Sequence, residues 1–208
     1  MSNAVSVATK NGADSAEAQR DWSNIKSVLR EISRKRLKDQ TLRSDIEIED
    51  YNEQGQGTFD YWMAVILVAG APFKVTFKVH YKSRDVLGLG GQILNTEGKD
   101  PAQIEHMITD FMKEYCNMTA GGYKSAFEAQ ELSVGMSLPM NTRGFDEVFS
   151  ALPSKHLEHN VDTWKLVAGS NQLICNSTLV LNEPEVWDKL NATVAEQPQS
   201  NDDDMEFL

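Results

Sequence analysis

The chemistry this chain can offer is concentrated in a carboxylate and a carboxamide three residues apart, Glu114 and Asn117. On a helix, residues at i and i+3 are surface neighbours. At about 100° per residue the two side chains lie about 60° apart on one face. The stretch around them reads as that helix. Asp100 can cap its first turn, Pro101 suits the first helical position, and Gln103 completes a capping box. Ile104, Met107, Ile108, Phe111, Tyr115 and Met118 then recur as one apolar stripe. Glu114 and Asn117 point the other way, and His106, Asp110, Lys113 and Gly121 share their side. A carboxamide offers a donor and an acceptor at once, and a carboxylate accepts charge-assisted bonds from cations. Such a pair can orient a water and engage a basic group, although a polar pair on a solvated face is in general the ordinary outcome of helix packing.

The residues after the pair narrow its meaning. Asn117 leads into Ala120-Gly121-Gly122-Tyr123-Lys124, then Ser133-Val134-Gly135-Met136-Ser137-Leu138-Pro139, with Gly144 beyond. In order and spacing this resembles the CheX branch of the CheC/CheX/FliY phosphatases of bacterial chemotaxis. Those proteins carry Glu-x-x-Asn on a long helix, a Gly shortly after, and a strand ending in Ser-Leu-Pro with a further Gly. The likeness spans about residues 20–190. The first helix offers Glu31-x-x-Arg34 and no Asn, so the motif is single, which points to CheX rather than to CheC-type members that can carry it in both halves.

The resemblance implies an α+β fold: two layers, internally duplicated, with long helices packed on antiparallel β-sheet. It implies a phosphatase that hydrolyses the aspartyl-phosphate of a CheY-like response regulator. Asn117 would orient the attacking water and Glu114 would engage the regulator's active-site lysine. Asp110, Lys113, Gly121 and Lys124 would belong to the partner-binding surface, although ordinary surface lysines are the simpler account of Lys113 and Lys124. The protein would need no cofactor or metal of its own, because Mg²⁺ is expected in the partner receiver domain. A homodimer through sheet edges is expected by analogy. The alternative is a non-catalytic CheX-like adaptor that binds a receiver domain or another signalling partner. Exposure of Glu114 and Asn117 would favour the enzyme, and burial or internal pinning of either would favour the adaptor. The chain departs from the family pattern in its two tails, in the loop Tyr51 to Thr58 and after Gly144.

Composition sets the outer bounds. The chain has 208 residues, 40% of them hydrophobic, which suits one domain with tails. No run approaches the roughly 18–20 apolar residues that cross a bilayer, and the N-terminus lacks a signal-peptide core, so no membrane insertion and a cytoplasmic location are expected. A net charge of −11 speaks against nucleic acid as a partner. The basic run Arg30 to Lys38 reads as a solvated helix face. Cys116 and Cys175 are expected as reduced thiols, and Asn-x-Ser/Thr at Asn117, Asn176 and Asn191 as chance matches.

In chain order, residues 1–19 read as a disordered tail, 20–196 as the CheX-like domain and 197–208 as an acidic tail whose last residues, Met205 to Leu208, form at most a short docking peptide. Trp22, Ile25, Leu29 and Ile32 mark a helix ending near Leu37. Ile46 and Ile48 alternate with acidic residues as a strand. Phe59 to Val68 and Phe73 to Tyr81 form a hairpin around Ala69 to Pro72, with His80 on its polar face as a surface histidine. A short helix starts at Ser83. Its Gly88-Leu89-Gly90-Gly91 fits no nucleotide-loop pattern, and its glycines are read as allowing close packing. Leu132 to Pro139 is expected as a strand, with a turn at Gly144 and a helical piece from Asp146 to Leu152. Val161 to Val167 and Leu173 to Leu181 form a second hairpin. Asn182 is expected to cap a last helix, with Pro184 in its first turn and Val186, Trp187, Leu190 and Val194 on its apolar side.

Overall fold

The computed structural model describes residues 20–51, 61–91, 93–143 and 158–193. The expected tails, the loop Tyr51 to Thr58 after its first residue, the turn at Gly144 and the helical piece from Asp146 to Leu152 lie outside the described residues. The chain runs α1 (Ser23–Thr41), β1 (Glu47–Asp50), β2 (Trp62–Ala69), β3 (Phe73–Tyr81), α2 (Ser83–Gly90), α3 (Pro101–Glu128), β4 (Gly135–Met136), β5 (Met140–Arg143), β6 (His159–Ala168) and β7 (Asn171–Leu181). A 3₁₀ turn, Pro184–Val186, then leads into α4 (Trp187–Asn191). All paired strands are antiparallel, and the helices pack on one face of the sheet, as an α+β two-layer fold requires.

The sheet order is β1-β6-β7-β3-β2-β4, with β5 also on β2. This order is the same read from either end if α1-β1-β2-β3 is exchanged with α3-β4/β5-β6-β7. Each half supplies a hairpin to the centre, β2–β3 or β6–β7, and the two hairpins join where β3 pairs β7. Each half also gives its edge strand to the other: β1 pairs β6, while β4 and β5 pair β2. The halves therefore interlock.

The inward residues of β3, Phe73, Val75, Phe77, Val79 and Tyr81, are fully buried, as the alternation predicts. Phe77 touches Tyr115, Tyr123 and Trp164 with ring centroids 5.6–6.1 Å apart. The tyrosine hydroxyls are satisfied across the helix layer. Tyr115 Oη donates to the Ser33 carbonyl (3.0 Å) and Tyr123 Oη to the Leu29 carbonyl (3.1 Å), both on α1. Tyr81 Oη donates to Asn141 Oδ1 at 2.7 Å.

Several expectations change in the folded chain. α1 continues past Leu37 to Thr41, because Leu37 and Thr41 extend the buried stripe and Leu42 closes it at φ 54°. The strand expected at Leu132–Pro139 is broken. Only Gly135–Met136 pairs, and a second strand starts at Met140. Between them Ser137 replaces the ladder, its N–H bonding Leu67 O and its Oγ accepting from Leu67 N–H. Pro139 has no N–H to give. His80 is not a surface residue: it is 3% exposed, on the sheet face opposite the helices, beside its buried strand partners Met63 and Ile174. Strand alternation sets the face but not whether that face is covered. Asn182 is not the cap of the last helical segment: Glu183 precedes its first turn and makes no capping bond, and the Asn182 side-chain amide donates instead to Ala71 O. Gly88 and Gly90 do serve close packing, as a Cβ there would lie 2.2 Å from Asn171 Oδ1 and 2.5 Å from Leu94 Cδ1.

Burial raises the phenol pKa of Tyr81 to about 12 and those of Tyr115 and Tyr123 well above 10. A raised folded-state pKa gives stability that is complete below about pH 10 and is lost as pH climbs toward the folded value. The urea midpoint should therefore fall between about pH 9 and pH 11.5, and Tyr123→Phe should flatten that decline. An equal decline in the variant would show that other groups cause it.

Candidate functional site

α3 begins as its sequence dictates. Asp100 accepts from Gln103 N–H (2.9 Å), Gln103 Oε1 accepts from Asp100 N–H (3.0 Å), and Pro101 opens the first turn. The helix is then fixed in rotation by what it buries. Ile108, Phe111, Met112, Tyr115, Cys116, Thr119, Ala120, Gly122 and Tyr123 are all packed inside. The remaining side faces solvent, and Asp110, Glu114 and Asn117 are exposed on it, with Lys113, Gly121 and Lys124 half-buried. The six site residues predicted from the sequence thus lie on one stripe.

Within that stripe the side chains differ in commitment. Asp110 pairs with His106 at 3.2 Å and Lys124 with Glu128 at 3.5 Å, both one helical turn apart. Such exposed i,i+4 pairs stabilise by only about 0.3–0.5 kcal/mol. Glu114, Asn117 and Lys113 make no hydrogen bond or ion pair with any described residue. Nothing among those residues pins the carboxylate or the carboxamide, and both are presented on a rigid support about 4.5 Å apart along the axis.

Gly121 and Gly122 have opposite roles. A Cβ on Gly122 would lie 2.5 Å from Ile32 Cγ2 and 3.1 Å from Arg36 Nε, so this glycine sets the closeness of α1 to α3. A Cβ on Gly121 would meet nothing within 4 Å. One turn after Asn117, Gly121 leaves the surface flat where a side chain would stand.

Chemically the stripe offers a free carboxylate, a free carboxamide and a free ammonium for hydrogen bonding. Among the described residues no group of three or more His, Cys, Asp or Glu is placed to hold a metal. Cys116 and Cys175 are buried and free, and burial drives both thiols far above their ordinary pKa, which makes them poor nucleophiles. Sequence reasoning missed three exposed apolar residues along the β4–β5 edge of the sheet, Met136, Leu138 and Met140. Strand alternation could not find them, because the pairing on β2 shifts by one residue between Met136 (opposite Val68) and Met140 (opposite Val65), which puts the two on opposite faces.

No family model matches the sequence, and no curated protein sequence does. Solved structures match in fold. CheX of Borrelia burgdorferi, determined as a CheX-CheY-BeF3-Mg²⁺ complex, has a TM-score of 0.59 at 13% identity, covering 78% of this chain and 99% of its own. A CheC-like superfamily protein of Shewanella sp. PV-4 has 0.53 at 14% identity, covering 75% and 97%. CheX of Vibrio vulnificus has 0.53 at 13%, covering 74% and 98%. The protein therefore has a CheX/CheC-like fold. No helix among the described residues is long and apolar enough to cross a membrane.

The two adjacent glycines give a direct check on this geometry. Gly121→Ala should raise stability by about 1 kcal/mol through helix propensity alone. Gly122→Ala should lower it by about 1–3 kcal/mol through overpacking against Ile32. Urea denaturation of both variants decides: equal shifts would mean that the two positions do not differ in packing.

Proposed function

We propose that the protein dephosphorylates a CheY-like receiver domain, with Asn117 orienting the attacking water and Glu114 engaging the receiver's active-site lysine. The observation that carries this reading is the state of the pair: both side chains are exposed, adjacent and free of bonds to the described residues. The fold adds support, since a CheX structure of the same fold is in complex with CheY, BeF3 and Mg²⁺.

An aspartyl-phosphate is a mixed anhydride whose P–O bond breaks when water attacks phosphorus in line. The aspartate leaves as a carboxylate, and the water's oxygen and protons end on inorganic phosphate. The receiver holds the Mg²⁺ and the leaving group, so the phosphatase has to position the water. Asn117 suits this: its amide oxygen accepts from the water, its N–H₂ can face a phosphoryl oxygen, and it adds no negative charge. Glu114, about 60° around the helix, is free to accept a lysine ammonium as a charge-assisted bond, and this fixes register. Gly121 lets the receiver's backbone approach. Lys113 adds a cation beside the phosphoryl group, while Asp110 and Lys124 form the rim.

The alternative, a non-catalytic adaptor using the same surface, would keep binding without the hydrolytic step. A homodimer belongs to the same proposal, and the exposed apolar edge at Met136, Leu138 and Met140 is the surface for it. The cytoplasm is where a receiver partner would be met.

The test is the lifetime of the phosphoryl group on a receiver domain from the same cell. Wild type should shorten it, and Asn117→Ala, equally folded, should slow turnover by about 100-fold or more, the range expected for losing one preorganised group. Binding without any shortening would establish the adaptor instead.

A further inference from the structure

We infer that His106 is a positioning residue for the proposed reaction: it holds Asp110 away from Lys113, so that a free ammonium stands beside Asn117 for the phosphoryl group. The inference rests on the role proposed for α3 and adds a requirement to it. Asn117 can place a water, but a carboxamide brings no charge to the phosphoryl oxygens. Residues four apart on a helix are surface neighbours, and Lys113 precedes Asn117 by four. The ammonium and the carboxamide can therefore address one group. A cation so placed stabilises the charge spread over the phosphoryl oxygens in the transition state. An ammonium already bound to a carboxylate of its own helix would first have to give that partner up.

Two lysines of α3 flank the carboxamide, and they differ in what holds them. Each has a single carboxylate three or four residues away on the helix. For Lys124 it is Glu128, and the two are paired at 3.5 Å. For Lys113 it is Asp110, three residues before it. Glu114, next in the chain, points about 100° away. An acid that precedes its cation along a helix is in the favourable order for pairing. Lys113 nevertheless makes no ion pair or hydrogen bond with any described residue. Asp110 is turned the other way, with Oδ2 at 3.2 Å from Nε2 of His106, four residues earlier. The imidazole can donate from Nε2 whether the ring is neutral or charged. The side chains of His106 and Asp110 are 77% and 56% exposed, so core packing places neither of them. The direction of Asp110 is a choice between its two helical neighbours, and His106 decides it. The stripe then carries paired charge at both ends, His106–Asp110 and Lys124–Glu128, with Lys113, Glu114 and Asn117 uncommitted between them.

The experiment measures turnover of a phosphorylated CheY-like receiver by the full-length protein, with kcat and KM separated. Exposed helical pairs are weak, so His106→Ala should lower kcat by only about two- to fivefold, as Asp110 is released onto Lys113. His106→Lys puts a cation back four residues before Asp110 and should recover the loss. Asp110→Asn in the His106→Ala background should recover it too, because the competing carboxylate is gone. Lys113→Met should cost at least as much as His106→Ala, and in that background His106→Ala should lower kcat no further, since the two act through one group. A His106 that serves only helix stability would shift the urea midpoint, leave kcat in place and give no rescue by Asp110→Asn. That outcome overturns the inference, and so does a His106→Ala effect that persists in Lys113→Met. The reading of α3 is checked separately. A wild type that leaves the receiver phosphorylated, or an Asn117→Ala variant as active as wild type, sinks that reading, and His106 then has nothing to position. An active, Asn117-dependent wild type with an unaltered His106→Ala variant sinks this inference alone.

Discussion

The close approach of α1 and α3 is the constraint on which the rest depends. At Gly122 the helices come so near that a single methyl group would collide with Ile32. Around that contact Tyr115 and Tyr123 reach across to α1 carbonyls, and their rings rest on Phe77 in the centre of the sheet. A buried hydroxyl without a partner would cost about 1–3 kcal/mol, so the two bonds fix rotation as well as distance. Once α3 cannot turn, Glu114, Asn117 and Gly121 have no direction to face but outward. The candidate surface is a consequence of the seam behind it.

Charge follows the same division. The arginine of α1 nearest the sheet is committed inside the fold. Arg30 bridges to Asp162 and Asp50 and lies over Trp164 at 5.8 Å, tying the first helix to β6 and β1. Asp162 is nearly buried, which makes that pair an anchor, since removing either partner would strand a charge. On α3 the charged residues nearest the carboxamide are left without a described partner or in weak exposed pairs. For the proposed docking this is favourable, because every internal bond would have to be broken when a partner binds.

The fold persists at 13–14% identity because it is specified by burial pattern, strand pairing and a few close contacts rather than by particular side chains. The interlocked halves illustrate this. Each edge strand needs the other half's hairpin, so the sheet completes only when both halves are present. The proposed chemistry rests on very few residues, since the receiver would bring the metal, the leaving group and its own lysine.

Much of this was legible in the sequence. The capping box at Asp100 and Gln103, the apolar stripe of α3, the Phe73–Tyr81 alternation and the Glu-x-x-Asn spacing are local signals. Helical and strand periods convert them directly into faces. They determined that Glu114 and Asn117 share a solvent face with Asp110, Lys113 and Gly121. Tertiary structure decided what local periods cannot carry. His80 is buried because the second sheet face is covered at that end, and no alternation reports on a neighbour. The strand before Pro139 breaks because Ser137 finds Leu67 across the edge. The roles of Gly121 and Gly122 diverge only because α1 lies over one and not the other.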